Sequence, residues 1–184
     1  VGGEETGIPV TVPLSKSFME LVAHYISEGH ADDRQVGFTF GSHESNLIET
    51  TERAIAKVGG STTTVDRKRN STRVKAFGSP LAMFLKNVCG DTARTKRIPE
   101  FVFEADAEYQ REFIAALYQG DGSDSHPSNE LSHTTTSETL ARQLSVLWNM
   151  QGVLASTETV ENASGYADDP ATTYRTKVYG EDVE

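Results

Sequence analysis

The sequence predicts an α+β fold built from two tandem copies of one small unit, on three observations. Residues 21–29 (LVAHYISEG) and 114–122 (IAALYQGDG) are both apolar helical runs that end in an acid and a glycine, and the acids, Glu28 and Asp121, lie 93 residues apart. The same offset carries Gly59 onto Gly152 and Leu47 onto Leu140, each pair at matching places in a later helical segment. Further on, Phe77-Gly78 most resembles Tyr179-Gly180 at an offset of 102, and a longer turn over 161–165 in the second copy accounts for the slip. Units of this length exceed the repeats of solenoid proteins, so two copies of a compact helix-and-strand unit are expected.

Residues 8–13 read as an extended lead-in. Ser15 or Ser17 is placed to cap a helix over 18–28, in which Met19, Val22, Tyr25 and Ile26 fall near helical spacing, and Gly29 is a natural residue to follow its C-terminus. Residues 35–40 alternate as a strand, with Val36, Phe38 and Phe40 on one face. Residues 44–58 are helical through Leu47, Ile48, Ala54 and Ile55 and stop at Gly59-Gly60. Threonine-rich strands over 61–69 and 71–77 turn around Asn70. A short helix over 81–88 ends before Gly90, and a loop with Ile98-Pro99 leads onward. The order then replays as a helix (106–119), a polar turn (124–129), a strand (130–135), a helix (137–150) and strands over 153–161 and 172–179. Leu140, Leu144, Leu147 and Trp148 form the apolar stripe of the later helix and Ser137 its cap. No counterpart of the 81–88 helix follows, so the second unit reads as truncated.

At 184 residues the chain is long enough for one sizeable core or two small ones. No apolar run approaches the ~20 residues of a membrane span, and the first residues, VGGEE, lack a signal-peptide layout. A soluble, cytoplasmic protein without a membrane partner is expected. Cys89 is the only cysteine, which excludes an internal disulfide and a thiol metal site. The five histidines show no metal spacing, and 121–125 lacks the acid an EF-hand needs at its twelfth position. A formal charge of −10 argues against a nucleic-acid partner, because phosphate contacts need Lys and Arg. The distribution reverses the argument. Nine of the 17 Lys and Arg lie between Asp66 and Arg97, beside only two of the 27 acids. A basic island in an acidic chain is a footprint for DNA; a basic strand paired with acidic neighbours is the alternative.

A carboxylate at a helix C-terminus faces the negative end of the helix dipole, at a cost of about 0.3–1 kcal/mol. Two helices making that choice suggest a compensating divalent cation, which clustered carboxylate oxygens attract. Small residues one turn apart, Ala23 with Ser27 and Ala116 with Gly120, allow two helix backbones to approach closely. Packed on those faces, the helices bring Glu28 and Asp121 out side by side; otherwise they are ordinary amphipathic helices with exposed terminal acids.

The paired runs resemble the LAGLIDADG motif of homing endonucleases, at the double dose typical of the nuclease domain inside inteins. Lys96-Arg97-Ile98-Pro99 is similar to the K-x-I-P block that precedes the second motif in that family. The resemblance covers nearly the whole chain. It implies two pseudo-symmetric αββαββ(α) units, residues 8–97 and 98–184, in a pseudo-twofold monomer with the motif helices at its centre and saddle-shaped antiparallel sheets over DNA. It implies that Glu28 and Asp121 are catalytic and bind Mg²⁺, or Mn²⁺, and that Lys96 lies beside the catalytic centre to polarise water or neutralise the phosphorane. Glu28 departs from the family's aspartate in length, not in chemistry. The family's second lysine, which follows the last helix, has no equivalent here; Lys177 sits on a strand, comparable to Lys75.

The implied activity is site-specific cleavage of double-stranded DNA by metal-assisted in-line attack. The domain would be embedded in a larger intein-bearing host protein whose splicing residues lie outside this chain. The strands over 61–69 and 71–77 would then face the major groove, with Arg67, Arg69, Arg73 and Lys75 as base and phosphate contacts. Strand alternation pairs Arg67 with Arg69 and Arg73 with Lys75. The second half offers Arg111, Arg142, Arg175 and Lys177, a weaker and more polar grip. The acid-rich remainder resembles proteins of salt-loving archaea, in whose salt a Debye length of ~3 Å mutes the repulsion of DNA by distant acids. Two other functions stay open: a cleavage-inactive module of the same fold, maturase- or regulator-like, and an unrelated acidic interaction domain.

Overall fold

The structure is a computed structural model that describes residues 11–41, 43–68, 71–125, 129–161 and 172–179. Helix α1 (Lys16–Ser27) is followed by strands β1 (Gly29–Ala31) and β2 (Gln35–Gly41), helix α2 (Ser45–Lys57), strands β3 (Ser61–Lys68) and β4 (Ser71–Phe77), and helix α3 (Ser79–Cys89). After the short α4 (Glu100–Glu104) the series repeats as α5 (Ala107–Asp121), β5 (Gly122–Ser125), β6 (Glu130–Thr135), α6 (Glu138–Met150), β7 (Ala155–Glu161) and β8 (Thr172–Tyr179). The strands form two four-stranded antiparallel sheets, ordered β1-β2-β4-β3 and β5-β6-β8-β7. The orders are the same, element for element. Gly59 and Gly152, matched by the sequence offset, both end their helices in the left-handed region at φ 81° and 83°.

The alternation in the strands decides which face meets the helices. In the first sheet Val36, Phe38 and Phe40 of β2 and Thr72, Val74 and Ala76 of β4 point inward and are buried. Arg73, Lys75 and Phe77 of β4 occupy the opposite face. In the second sheet Thr176 and Val178 of β8 are buried, with Arg175, Lys177 and Tyr179 on the other side. Helix α1 is buried from Ser17 to Ile26 at every residue but Glu20, since it packs against α2 on one side and α5 on another. Burying one large aliphatic side chain of this kind contributes about 1.5–3 kcal/mol, which makes α1 the keystone of the core. Ser15 caps it, its Oγ accepting from the Phe18 amide at 3.3 Å, and Ser137 caps α6 in the same way, accepting from Leu140 at 3.2 Å.

Three elements differ from the sequence reading. Residues 29–31 and 122–125 are edge strands, where a helix end and a polar turn are expected. They become strands by pairing with β2 and β6 (Gly29 opposite Phe38, Gly122 opposite His133), not by any apolar alternation of their own. Residues 100–104 form a helical turn inside the expected loop. Gly29 and Gly122 also serve differently from a helix-ending glycine in the left-handed region. Neither has positive φ. The chain doubles back so tightly that a Cβ on Gly29 would sit 2.5 Å from Tyr25 Cα, and one on Gly122 would sit 2.3 Å from the Tyr118 carbonyl oxygen. The start of the expected lead-in, the turn at Asn70 and the turn over 162–165 lie outside the described residues.

Candidate functional site

Helices α1 and α5 pack against each other through small residues. Ala23 and Ala116 are buried, and a Cβ on Gly120 would stand 2.5 Å from Ser27 Oγ and 2.8 Å from Ser27 Cβ. Only glycine fits at 120 without moving a neighbour. The same absent Cβ would lie 3.9 Å from Glu28 Cγ, so the last turn of α5 ends directly beside Glu28, and Asp121 is the next residue. The structure therefore brings the ends of the two motif helices together, as their small residues suggest.

The carboxylates sense this crowding. Burial raises the Glu28 pKa to about 7, with Asp121 and then Glu44 adding negative charge nearby. Asp121 keeps an exposed outline, yet the protein around it lifts its pKa to about 6, against the pull of Lys96. Two carboxylates left partly protonated near neutrality fit a hard divalent cation, which would relieve both desolvation and repulsion. Among the described residues no cluster of three or more His, Cys, Asp or Glu surrounds such an ion. Its other ligands would be oxygens of water, backbone or phosphate.

An open cleft of about 340 Å³ lies at this end of the helices, lined by Ser27, His30, Asp91, Lys96, Asp121 and Thr135 among others. Lys96 is 5% exposed, so it is not a solvated loop lysine. Its Nζ donates to the carbonyl oxygens of Gly29, at 3.0 Å, and of Tyr25, and stands 3.5 Å above the Tyr25 ring. Burial lowers its pKa to about 8, while Cys89, Asp91 and Asp121 pull it upward. The segment carrying it is fixed by α6 and its cap: Ser137 Oγ donates to the Lys96 carbonyl at 2.6 Å, and the Gln143 amide brackets Ile98 at 2.7 and 3.0 Å. Lys96 thus closes the C-terminus of α1 and borders the cleft.

His30 also lines this cleft, and the sequence reading left it among histidines without a role. Its ring lies over Gly37, where a Cβ would come within 2.5 Å of it. Its place two residues past Glu28 was the available signal. Of the expected DNA contacts, Arg73 is exposed and Lys75 half-exposed on the outer face of β4. Arg67 lies on β3 opposite Thr72, beyond a register shift between Val65 and Arg67 that interrupts simple alternation. Arg69 lies outside the described residues.

Residues 108–184 match the family model of the LAGLIDADG-like domain. The chain is 32% identical over 152 residues to a DNA polymerase of Thermococcus kodakarensis, a match covering 78% of this chain and 9% of the polymerase. It is 30% identical over 144 residues to the DNA-directed RNA polymerase subunit Rpo1C of Methanocaldococcus jannaschii, covering 76% of this chain and 16% of the subunit. The chain therefore spans less than a fifth of the length of either relative. In fold it is similar to the homing endonuclease I-DmoI in complex with DNA and Mn, with a TM-score of 0.64 at 15% identity over 90% of each chain. Other I-DmoI structures contain DNA with Ca or Mg. The architecture is the two-unit LAGLIDADG fold: two antiparallel four-stranded sheets and a central pair of motif helices.

Proposed function

We propose that this chain is the site-specific double-stranded DNA endonuclease domain of an intein, hydrolysing phosphodiester bonds with Mg²⁺ or Mn²⁺. One observation carries the proposal: two helices packed through Gly120 and Ser27 end with Glu28 and Asp121 beside each other at the cleft that Ser27, Lys96 and Asp121 line, where burial raises both carboxylates and the charge of Asp121 raises Glu28 further. Likeness to short stretches of two different polymerases supports a domain inserted into unrelated host proteins. In this reading residues 8–97 and 98–184 are the halves of a pseudo-twofold monomer, and the acidic remainder suits the cytoplasm of a halophilic archaeon.

Glu28 and Asp121 hold the cation. When bound, it supplies an activated water and neutralises charge at the leaving oxygen. Lys96, fixed at the cleft wall, offers positive charge to the phosphate undergoing attack. Arg67, Arg69, Arg73 and Lys75 align the duplex on the first sheet. A cleavage-inactive module of the same fold is the second reading, and one observation favours it: the carbonyls of Tyr25 in α1 and of Gly29 at the start of β1 already engage the Lys96 ammonium.

The test is nicking of DNA with Mg²⁺ by the intact chain, by Glu28→Gln and by Asp121→Asn. Metal-dependent cutting by the intact chain alone supports the endonuclease. Binding without cutting by all three supports the inactive module, and neither binding nor cutting rejects both.

A further inference from the structure

The outer faces of the two sheets carry the same residue types in the same order: Arg73, Lys75 and Phe77 on β4, Arg175, Lys177 and Tyr179 on β8. Both strands are central in their sheets. Their electrostatic surroundings differ. Opposite Arg73 and Lys75 on β2 stand Thr39 and Gly37, which are uncharged. Opposite Arg175 on β7 stands Glu158, and opposite Tyr179 on β6 stands Glu130. The Glu158 carboxylate lies 2.7 Å from Lys177 Nζ and 3.7 Å from Arg175 Nη1, and Glu130 lies 4.0 Å from Lys177 Nζ. The Lys177 side chain is only 17% exposed and is laid down on the sheet by these contacts. Among the described side chains, no acid stands within ion-pair distance of Arg73 or Lys75.

We propose that Glu158 is a specificity-determining residue of the second half-site, an electrostatic restraint that keeps Arg175 and Lys177 from phosphates until a well-fitting duplex displaces it. The inference rests on the DNA-binding reading above and adds an inequality between the halves. A phosphate approaching β8 meets a carboxylate that repels it and two cations already engaged. Contacts there form only as the Glu158 pairs break, so they reward a duplex whose shape also satisfies the rest of the sheet. Among the described side chains Arg73 and Lys75 carry no such restraint, and they supply the sequence-independent grip.

Fluorescence anisotropy of a labelled random-sequence duplex, with the intact chain and Glu158→Gln, reads this directly. We expect Glu158→Gln to bind roughly five- to tenfold tighter at about 50 mM salt, with a log–log salt slope steeper by about 1 to 2 as one or two cations reach phosphates. Far-UV circular dichroism establishes that the variant is folded. Lys177→Gln supplies the second measurement: a loss of less than about twofold in the parent and of about threefold or more in the Glu158→Gln background, since one phosphate contact is worth roughly that much across a fourfold change of salt. A folded Glu158→Gln protein whose affinity and slope match the parent's, or whose affinity falls, overturns the restraint and leaves the endonuclease reading intact. No binding by either protein at low salt overturns both.

Discussion

The ammonium of Lys96 stands 3.5 Å above the ring of Tyr25 and donates to the carbonyl oxygen of that same residue. A residue of the segment between α3 and α4 thereby closes the C-terminus of α1, the helix whose end presents Glu28. Positive charge is favourable at that end of a helix dipole, and it sits one turn from an acid that is not. The acid is held in an unfavourable place by a lysine in a favourable one.

Replacing Lys96 by Met is expected to destabilise the fold by about 2–3 kcal/mol. The change removes charged hydrogen bonds worth about 1.5–3 kcal/mol and a cation–π contact, and leaves acceptors unpaired. Arg is a poor substitute, because its planar fork does not match two carbonyls beneath a ring. Urea denaturation checks this through a lower midpoint at unchanged slope. A Lys96→Met protein that loses cleavage at an unchanged midpoint would show a role confined to chemistry.

Gly120→Ala is expected to push α5 away from α1, because the new Cβ lands 2.5 Å from Ser27 Oγ and 2.8 Å from Ser27 Cβ. Overpacking of this kind costs about 1–3 kcal/mol. The greater loss is expected in cleavage, since the separation of Glu28 from Asp121 follows that of the helices. Adding Ser27→Gly removes both clashing atoms and should restore cutting, even though a helical glycine itself costs about 1 kcal/mol. Cleavage rates of the single and double variants decide it; no rescue by the double variant rejects the packing argument.

Much of this arrangement is legible in the sequence. The stripes of α1 and α6 and the alternation of Val36, Phe38 and Phe40 are strong because each element buries one face. The pair of acids was visible because each stands where a helix dipole disfavours it. β1 and β5 were not legible: Gly-His-Ala and Gly-Ser-Asp-Ser carry no alternating apolar signal, and pairing with a neighbour alone makes them strands. The same holds for the depth of Lys96. Nothing local in Thr95-Lys96-Arg97 distinguishes a lysine that caps a distant helix from its exposed neighbours; only the return of the chain against Tyr25 does.

The raised carboxylates predict a pH window for metal. Burial raises the Glu28 carboxyl from its ordinary 4.5 to about 7 in the folded chain, so the folded protein holds its proton more tightly and loses stability as pH rises from about 4.5 through 7. Glu28→Gln removes that loss. It should stabilise the metal-free protein above neutrality by about 1–2 kcal/mol, a figure reduced for partial solvent screening. Mg²⁺ should raise the melting temperature of the parent at high pH and lose this effect as pH falls through the range from 7 to 6, where the two carboxylates protonate. Thermal melts with and without Mg²⁺ across that range check both signs. An ion effect that persists unchanged in Glu28→Gln places the ion elsewhere.

The opposite limb of the stability curve belongs to two buried histidines. His24 on α1 meets Thr51 Oγ1 at 2.7 Å through Nδ1 and leaves Nε2 unpartnered, while both ring nitrogens of His133 on β6 are buried without a partner. Burial lowers each pKa from 6.5 to about 4. The unfolded chain therefore binds more protons than the folded one in that interval, so their contribution is complete above about 6.5 and is lost as pH falls toward 4, at about 2–3 kcal/mol for each histidine. Glu28 and Asp121 act in the opposite sense over part of the same interval, which blunts the loss in the parent. His133→Phe keeps an aromatic ring against Tyr118, whose centroid is 5.8 Å away, and removes both unpaired nitrogens. It should leave stability at neutral pH unchanged or about 1 kcal/mol higher and flatten the decline in acid. His24→Phe should flatten the decline as well, at a cost of about 1 kcal/mol at neutral pH for the abandoned Thr51 hydroxyl. Melting temperatures at about pH 7 and about pH 5 separate these effects; a His133→Phe protein that falls between them as far as the parent does would assign the acid limb to other groups.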